Sequence, residues 1–289
     1  MNFVDRELLI LMIFATVASG CINGSGGGQG LSISTPSVNP TEIEEGNTVN
    51  TDLTITNEGS LEGDVSVGND GTDVLVNYCP DMFSIDEFDA ASDRESEEQD
   101  SYKLGEGESL RLNWVLQQKE ERPIPRNGFE CDLSFEVPFD YSVTSFKQFQ
   151  VKESREVEGN SELTTQISEG PMSVEFELIG STADQSNTII KGDNADLRIR
   201  ISNPNREDSY QGLLDVRNLE ITGSGDINIS EDCGSVAQLE TGEAKVYRCN
   251  LSYTDFETGT IRGAIEADAD YTFVRNKGTR TVKVNRRGN

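Results

Sequence analysis

The chain from Leu31 onward consists of short runs in which apolar and polar residues alternate, and Gly, Asn, Asp and Pro separate the runs. A period of two is typical of a half-buried β-strand, and the separating residues are typical of turns. The clearest runs place these residues on one face: Val49, Leu53 and Ile55; Leu110, Leu112, Trp114 and Leu116; Phe129, Cys131, Leu133, Phe135 and Val137; Val174, Phe176 and Leu178; Leu197, Ile199 and Ile201; Tyr247, Cys249, Leu251 and Tyr253; and Ile265, Ala267, Ala269 and Tyr271. The pattern predicts an all-β fold of sandwich type.

The two halves of this pattern look like copies of each other. Three pairs of segments match in the same order: residues 53–57 with 199–203, 104–108 with 239–243, and 139–141 with 269–271. The shared order favours an internal duplication over coincidence. In both copies we expect a turn after the third segment and then a final strand, which ends at Val151 or Val284.

The length of 289 residues fits two domains at about 100–150 residues each. The predicted division is an export segment at 1–20, a Gly-rich tether at 21–30, a first β-sandwich domain at 31–152, a polar linker at 153–170 and a second β-sandwich domain at 171–289. Helical signal is nearly absent. Residues 86–100 are acidic with few apolar positions, so we expect an inserted surface loop there.

The net charge is −28, from 24 Lys and Arg against 52 Asp and Glu. Such a surface repels the phosphates of nucleic acids, so we expect no nucleic-acid partner. The acids are spread over most of the chain, which favours an adaptation of the whole surface to concentrated salt over one dedicated cation-binding surface. The acid-rich, lysine-poor composition resembles that of proteins from halophilic archaea.

The chain contains no histidine. This removes Ser-His-Asp and Cys-His nucleophiles, the usual copper sites and most catalytic zinc sites. We therefore expect a protein that is not an enzyme and has no cofactor or metal. Thr144 and Lys147 have the spacing of a Ser/Thr-x-x-Lys motif, but we expect them in a turn near the end of the first domain. A carboxylate-pair site remains the other catalytic alternative.

An apolar run at residues 8–17 has the length of a signal-peptide core, whereas a membrane-spanning helix needs about 20 apolar residues. Three small residues at 18–20 follow it and precede Cys21. This order resembles the lipobox of bacterial and archaeal lipoproteins, which implies cleavage before Cys21 and a lipid on its thiol. An uncleaved anchor helix or a free Cys21 is the alternative, because acidic residues accompany Arg6 in the first segment.

The lipobox resemblance implies an extracytoplasmic location at the outer face of the cell membrane, with the membrane as a partner. Residues 22–30 contain five glycines and cannot form a core. They predict a flexible tether that lets the folded part move away from the membrane surface.

Four cysteines remain after Cys21: Cys79, Cys131, Cys233 and Cys249. In an exported protein, paired cysteines are usually disulfides. Three pairings are possible, and the predicted domain boundary favours Cys79–Cys131 and Cys233–Cys249. A metal site is the alternative, although neither a CxxC spacing nor a histidine supports it.

Residues 53–67 resemble the opening of cell-adhesion-related domains in bacterial and archaeal surface proteins, which are immunoglobulin-like sandwiches. A weaker similarity covers residues 196–216. Residues 247–249 resemble the Tyr-x-Cys of immunoglobulin strands, but Cys233 lies only 16 residues before Cys249, too close for the inter-sheet bond of that family. The resemblance implies two tandem immunoglobulin-like β-sandwich domains rather than true immunoglobulin domains.

Two acidic groups and three glycosylation sequons are candidate sites. Residues 86–100 and the outward face formed by Glu266, Asp268 and Asp270 offer carboxylates for a cation, although a solvated surface is the favoured interpretation of both. The Asn-x-Ser sequons begin at Asn23, Asn228 and Asn250, the last inside a predicted strand.

The last fifteen residues carry six basic side chains and no acid: Arg275, Lys277, Arg280, Lys283, Arg286 and Arg287. An outward-facing cationic strand and a docking element for an acidic neighbour both fit. The sequence as a whole predicts a non-catalytic, membrane-anchored surface protein that acts in adhesion, envelope organisation or assembly with other surface proteins or glycans. The alternative is a lipoprotein that presents a cation or a glycan to a partner.

Overall fold

A computed structural model describes residues 31–93, 100–154, 165–166, 170–179, 187–193, 195–203, 212–229, 233–235 and 237–287. These residues form strands and turns with no helix among them, which confirms the all-β prediction. The predictions for the export segment, the tether, Cys21 and Asn23 lie outside the described residues, as does most of the predicted linker.

In the first half of the chain the strands are β1 (Leu31–Ile33), β2 (Ser37–Asn39), β3 (Glu42–Glu44), β4 (Thr48–Asn57), β5 (Gly63–Ser66), β6 (Leu75–Asn77), β7 (Phe83–Ser92), β8 (Ser101–Leu104), β9 (Ser109–Gln118) and β10 (Phe129–Lys152). In the second half they are β11 (Thr165–Gln166), β12 (Ser173–Ile179), β13 (Thr188–Ile190), β14 (Asp196–Ser202), β15 (Leu213–Gly225), β16 (Ile227–Ile229), β17 (Ala237–Leu239), β18 (Ala244–Tyr253) and β19 (Thr260–Asn285).

The strands form three sheets around a hydrophobic core. One sheet has the order β1-β4-β9-β7 with β2 beside β4, and a second has the order β12-β14-β18-β16. A central sheet runs β17-β15-β19-β10-β5-β8, with β6, β11 and β13 added to β10 and β3 added to β19. The predicted inward residues lie in the core, as Trp114 shows: its side chain is fully buried and its ring contacts Phe88 and Phe135.

The two longest strands run where the sequence predicted turns. β10 continues unbroken past Tyr141, and β19 continues past Tyr271, so the expected turns after residues 139–141 and 269–271 are wrong. Residues 142–152 contain no Gly, Pro, Asn or Asp, so alternation continues and nothing ends the strand. In β19 a bulge opposite Phe135 absorbs the Asn-Lys-Gly sequence at 276–278.

All 24 residues of β10 pair with β19 in an antiparallel register. Because one of these strands comes from each half of the chain, the halves share one continuous central sheet. Each strand also extends beyond its own half: Val151 is buried beside β13, and Val284 is buried beside β3. The predicted domain boundaries at 152 and 171 stay a prediction.

The hydrogen bonds around two buried asparagines repeat between the halves. The Asn57 side-chain amide donates to the carbonyl of Leu104 at 3.0 Å, and the Asn203 amide donates to that of Leu239 at 3.0 Å. Their backbones repeat as well, since Asn57 N–H donates to Glu108 and Asn203 N–H donates to Glu243, each at 3.0 Å. These residues belong to the segments matched in the sequence, so the matched segments form the same hydrogen bonds in both halves.

Two disulfides join Cys79 to Cys131 and Cys233 to Cys249, the pairs predicted from the sequence. Their Cα atoms are 6.0 and 5.3 Å apart. Disulfides of this kind are typical of an oxidising, extracytoplasmic environment. The part of the chain that the structure describes has no helix with the length and apolarity needed to cross a membrane.

The acidic stretch at 86–100 is not wholly a loop, which corrects the prediction. Residues 86–92 belong to β7, an edge strand that pairs with β9 through contacts such as Phe88 with Trp114. Alternating Phe88 and Ala90 supply enough inward apolar surface for a strand, while exposed Glu87 and Asp89 protect the edge. Residues 94–99 lie outside the described ranges.

Candidate functional site

The outer face of the central sheet carries paired polar side chains where β10 meets β19. Ser142 donates to Asp270 at 2.7 Å, and Thr144 donates to Asp268 at 2.5 Å. These pairs form because the register places each hydroxyl directly opposite its carboxylate. At the junction between the halves, the outer face therefore presents carboxylates that accept hydrogen bonds from hydroxyl groups.

An open depression of about 570 Å³ lies on this surface. We call it the central depression, and it is lined by Glu62, Gly63, Asp64, Lys103, Asp140, Tyr141, Ser142, Arg217, Asn218 and Asp270. Arg217 pairs with Asp140 at 2.9 Å, and Lys103 pairs with Glu62 at 3.0 Å. Donors and acceptors of both charges thus stand together on a rigid sheet, an arrangement able to bind a hydroxyl-rich ligand.

The outward face of Glu266, Asp268 and Asp270 does not converge on one point. The three residues follow one another at every second position of β19, about 7 Å apart. Asp268 and Asp270 already accept hydrogen bonds from Thr144 and Ser142. Within the described ranges, no three acidic or cysteine side chains are grouped so that they could hold a metal ion.

The structure places Thr144 and Lys147 in a strand, which corrects the expectation of a turn. They lie on opposite faces of β10 because their positions differ by an odd number. The Lys147 amine points inward and donates to the carbonyl of Phe176 at 2.9 Å. Burial lowers the pKa of Lys147, and the nearby charge of Glu177 opposes that shift. The two side chains do not form a Ser/Lys-type pair.

Two of the three sequons lie side by side on the outer face of the β12-β14-β18-β16 sheet. Asn228 and Asn250 are both exposed, and Asn228 lies opposite Ser252, the third residue of the Asn250 sequon. A glycan on either asparagine would cover the same end of this sheet.

The basic C-terminal strand docks within the chain. Arg275 donates to the carbonyl of Leu31, and Arg280 donates to the carbonyl of Pro36 at 3.0 Å. Lys283 pairs with Glu42 at 3.5 Å, next to the parallel pairing of β3 with β19. Arg275 and Arg280 thus contact backbone carbonyls at the start of the fold, and Lys283 contacts a carboxylate. Docking of the basic segment onto an acidic neighbour stays a prediction.

Sequence reasoning missed a cluster of arginines on the outer face of the second-half sheet. We call it the arginine face; its outward side chains are Glu175, Glu177, Asp196, Arg198, Arg200, Val246 and Arg248. Arg198 pairs with Glu177, and Arg200 pairs with Glu175 at 3.3 Å. The signal was present, since these arginines alternate with the buried Leu197, Ile199 and Cys249.

A comparison of the sequence with protein-family models and with curated proteins finds no match.

Proposed function

We propose that this chain is a non-catalytic surface protein, held at the outer face of the cell membrane by a lipid on Cys21. It acts in adhesion, envelope organisation or assembly with other surface proteins or glycans. Under this proposal its halves are immunoglobulin-like, cell-adhesion-related modules of an archaeal protein adapted to high salt. The acid-rich composition, the order of the lipobox elements and the two disulfides support it.

The mechanical part of the proposal depends on where the described chain begins. Leu31 lies beside β19, the strand of the second half that pairs with β10 of the first half. A pull from a tether would reach the fold at Leu31, whose carbonyl accepts a hydrogen bond from Arg275 of β19. β19 in turn pairs along the whole of β10. Leu31 also begins β1, which pairs with β4, so the load would enter the first-half sheet through backbone hydrogen bonds and the central sheet through Arg275. Sharing the load between two sheets suits a protein that holds partners at a surface.

Anchoring is tested with Cys21→Ser, and Ser25→Ala in the tether serves as the matched control. Wild-type and control chains are expected in the membrane fraction, with a lipid mass on the Cys21 peptide. Cys21→Ser is expected in the medium or the soluble fraction. An unmodified Cys21 peptide in the wild type would reject lipid anchoring; together with membrane retention of Cys21→Ser, it would indicate an uncleaved anchor.

A second candidate function is capture of a glycan at the central depression. Asp270 and Asp140 supply acceptors there, and Arg217 and Asn218 supply donors. Titration with neutral and acidic oligosaccharides is the test, with Asn218→Ala expected to weaken binding and the distant Asn50→Ala expected to leave it unchanged. The absence of saturable binding to the wild type would reject this function.

The cation version of the second candidate is tested separately by thermal melting with calcium at fixed ionic strength. A rise in Tm that saturates with calcium would support a bound cation. An unchanged Tm would reject it.

A further inference from the structure

We infer that the arginine face of one copy of this chain binds an acidic face on the first half of a second copy, in a head-to-tail arrangement. The acidic face is the outer surface of the β4-β9-β7 part of the first-half sheet, with Asp52, Glu87 and Asp89 as its carboxylates. This inference deepens the proposed function, because it names a second copy as one partner of the surface protein.

The arginine face differs from the chain as a whole in its charge. Over the full sequence, acids outnumber Lys and Arg by 52 to 24. The arginine face instead carries three acids and three arginines, listed above with its side chains. It is thus a patch where a second acidic chain can approach without the repulsion that the rest of the surface imposes.

Two arginines on this face oppose each other directly. Arg198 and Arg248 are register partners on β14 and β18, and like charges in that position destabilise a sheet. Arg198 has Glu177 beside it, but within the described part of the chain no acidic side chain pairs with Arg248. Val246, two residues away and on the same face of β18, is 49% exposed. An arginine without an ion pair among the described residues, beside an exposed valine, is suited to an acidic protein partner with some apolar surface.

The internal duplication supplies the complementary surface. Matching Asn57 with Asn203 and residues 104–108 with 239–243 makes Asp52 equivalent to Arg198 and Asn113 equivalent to Arg248. Asp52 and Asn113 are register partners on β4 and β9, as Arg198 and Arg248 are on their strands. The two halves of the chain therefore carry opposite charges, on Asp52 and Arg198, at equivalent positions of their two sheets.

The acidic face also gains carboxylates that have no counterpart on the arginine face. β7 extends the first-half sheet beyond β9 and adds exposed Glu87 and Asp89. Arg111, the one arginine on this face among the residues that the structure describes, pairs with Asp52 at 3.2 Å. Val115, opposite Glu87, is half-buried on the same surface and can meet the exposed Val246 of the other copy.

The size of the patch sets the expected strength. Strands of seven residues span about 23 Å, and three strands span about 14 Å, which gives roughly 300 Å². A stable complex buries about 800 Å² per partner, so this contact is weak in dilute solution. Tethering to one membrane raises the effective concentration of the chains and makes a weak contact sufficient. A head-to-tail contact leaves a free face at each end, so chains longer than a dimer can form.

The test is sedimentation velocity of the full-length protein in detergent over a concentration series. The salt concentration is about 1 M, where the Debye length of about 3 Å screens the general repulsion between the acidic chains. The protein is made without glycosylation, because a glycan on Asn250 would cover the arginine face. Wild type is expected to associate reversibly beyond the dimer. Arg248→Glu and Glu87→Arg should each weaken association at least about tenfold. Arg122→Glu, which changes the net charge in the same way as Arg248→Glu but lies outside both faces, should associate as wild type.

Mixing gives the decisive comparison. Arg248→Glu retains an intact acidic face, and Glu87→Arg retains an intact arginine face, so an equal mixture should associate although each variant alone does not. Wild-type protein that stays monomeric over the whole series, or Glu87→Arg that associates as wild type, would overturn the inference. Either result leaves lipid anchoring unaffected, because anchoring is read from the fractionation of Cys21→Ser.

Discussion

The rings of Tyr141 and Tyr271 stack across the β10–β19 pair, with centroids 5.2 Å apart and planes inclined by 23°. The two tyrosines are matched positions of the duplicated sequence, and they are also register partners. When equivalent antiparallel strands pair at equivalent residues, that strand pair has a local two-fold axis. The β10–β19 pair therefore resembles the strand pair at the interface of a symmetric dimer.

Tyr271 provides a prediction about stability. Its hydroxyl is buried; the amide of Met172 approaches it, but no described group completes a hydrogen bond with it. Tyr271→Phe removes this unsatisfied group, so the free energy of unfolding should stay unchanged or rise by up to about 1 kcal/mol. Tyr247→Phe is the contrasting variant: it removes a hydroxyl that donates to the carbonyl of Ser235 and should cost about 1 kcal/mol. Urea denaturation of both variants checks the two signs, and a clear loss in Tyr271→Phe would contradict the account.

The same tyrosine predicts a dependence on alkaline pH. Burial raises the pKa of Tyr271 above its usual value near 10. Because the pKa of Tyr271 is raised in the folded state, the unfolded chain ionises first. The free energy of unfolding is therefore unaffected by this group below about pH 10 and falls as the pH rises further. Denaturation curves between pH 8 and pH 11 should show a smaller loss for Tyr271→Phe than for wild type. Equal losses would show that Tyr271 ionises as easily in the fold as in water.

The paired asparagines predict matched effects in the two halves. Asn57 and Asn203 are buried, and each side-chain amide donates to two backbone carbonyls. Replacement of either by Ala leaves those carbonyls unsatisfied and should cost about 2–4 kcal/mol. Asn50→Ala, on the exposed face of β4, should change stability by less than about 0.5 kcal/mol. A large effect at only one of the two buried positions would contradict their equivalence.

Much of this fold could be predicted from the sequence, because a period of two needs only local information. Leu112 and Trp114 face the core, as the alternation of apolar and polar residues in their segment predicts. The continuity of β10 and β19 could not be predicted, since it depends on pairing between residues more than 100 positions apart. The docking of Arg275 onto Leu31 and the position of Arg248 opposite Arg198 depend on the same long-range register.

Gly71 predicts a steric effect at the single tryptophan. Its φ is +69°, and a Cβ atom there would lie 2.3 Å from Trp114 Nε1. Gly71→Ala should therefore cost about 3 kcal/mol or more, from backbone strain and displacement of the indole. Gly107→Ala is the control: its φ is +77° with no atom within 4 Å of the new Cβ, so it should cost only about 1 kcal/mol. Since the chain has one Trp, its fluorescence reports the displacement directly. Equal costs and unchanged emission in both variants would contradict the packing of Gly71 against the indole.

Asp52 predicts part of the loss of stability in acid. Partial burial opposes its ionisation, but hydrogen bonds from Asn113, Ser37 and Arg111 hold the pKa of Asp52 below its usual value. A lowered pKa in the folded state stabilises the protein above about pH 4, and this contribution is lost as the pH falls further. Asp52→Asn should be less stable than wild type at neutral pH and lose less stability in acid. Glu87→Gln, an exposed carboxylate of the same face, is the control expected to match wild type; identical acid profiles for Asp52→Asn and wild type would refute the assignment.

Hydrogen exchange of the backbone amides tests most directly that the two halves share one sheet. If β10 and β19 pair as described, the amides of residues 139–151 and 263–284 should exchange only through global unfolding, with protection that tracks the free energy of unfolding. The ends of these strands are the sharpest reporters, because residues 149–151 are protected only by the second half and residues 282–284 only by the first. Rapid exchange at both ends, with protection kept elsewhere in each half, would show two independent units and contradict the shared sheet.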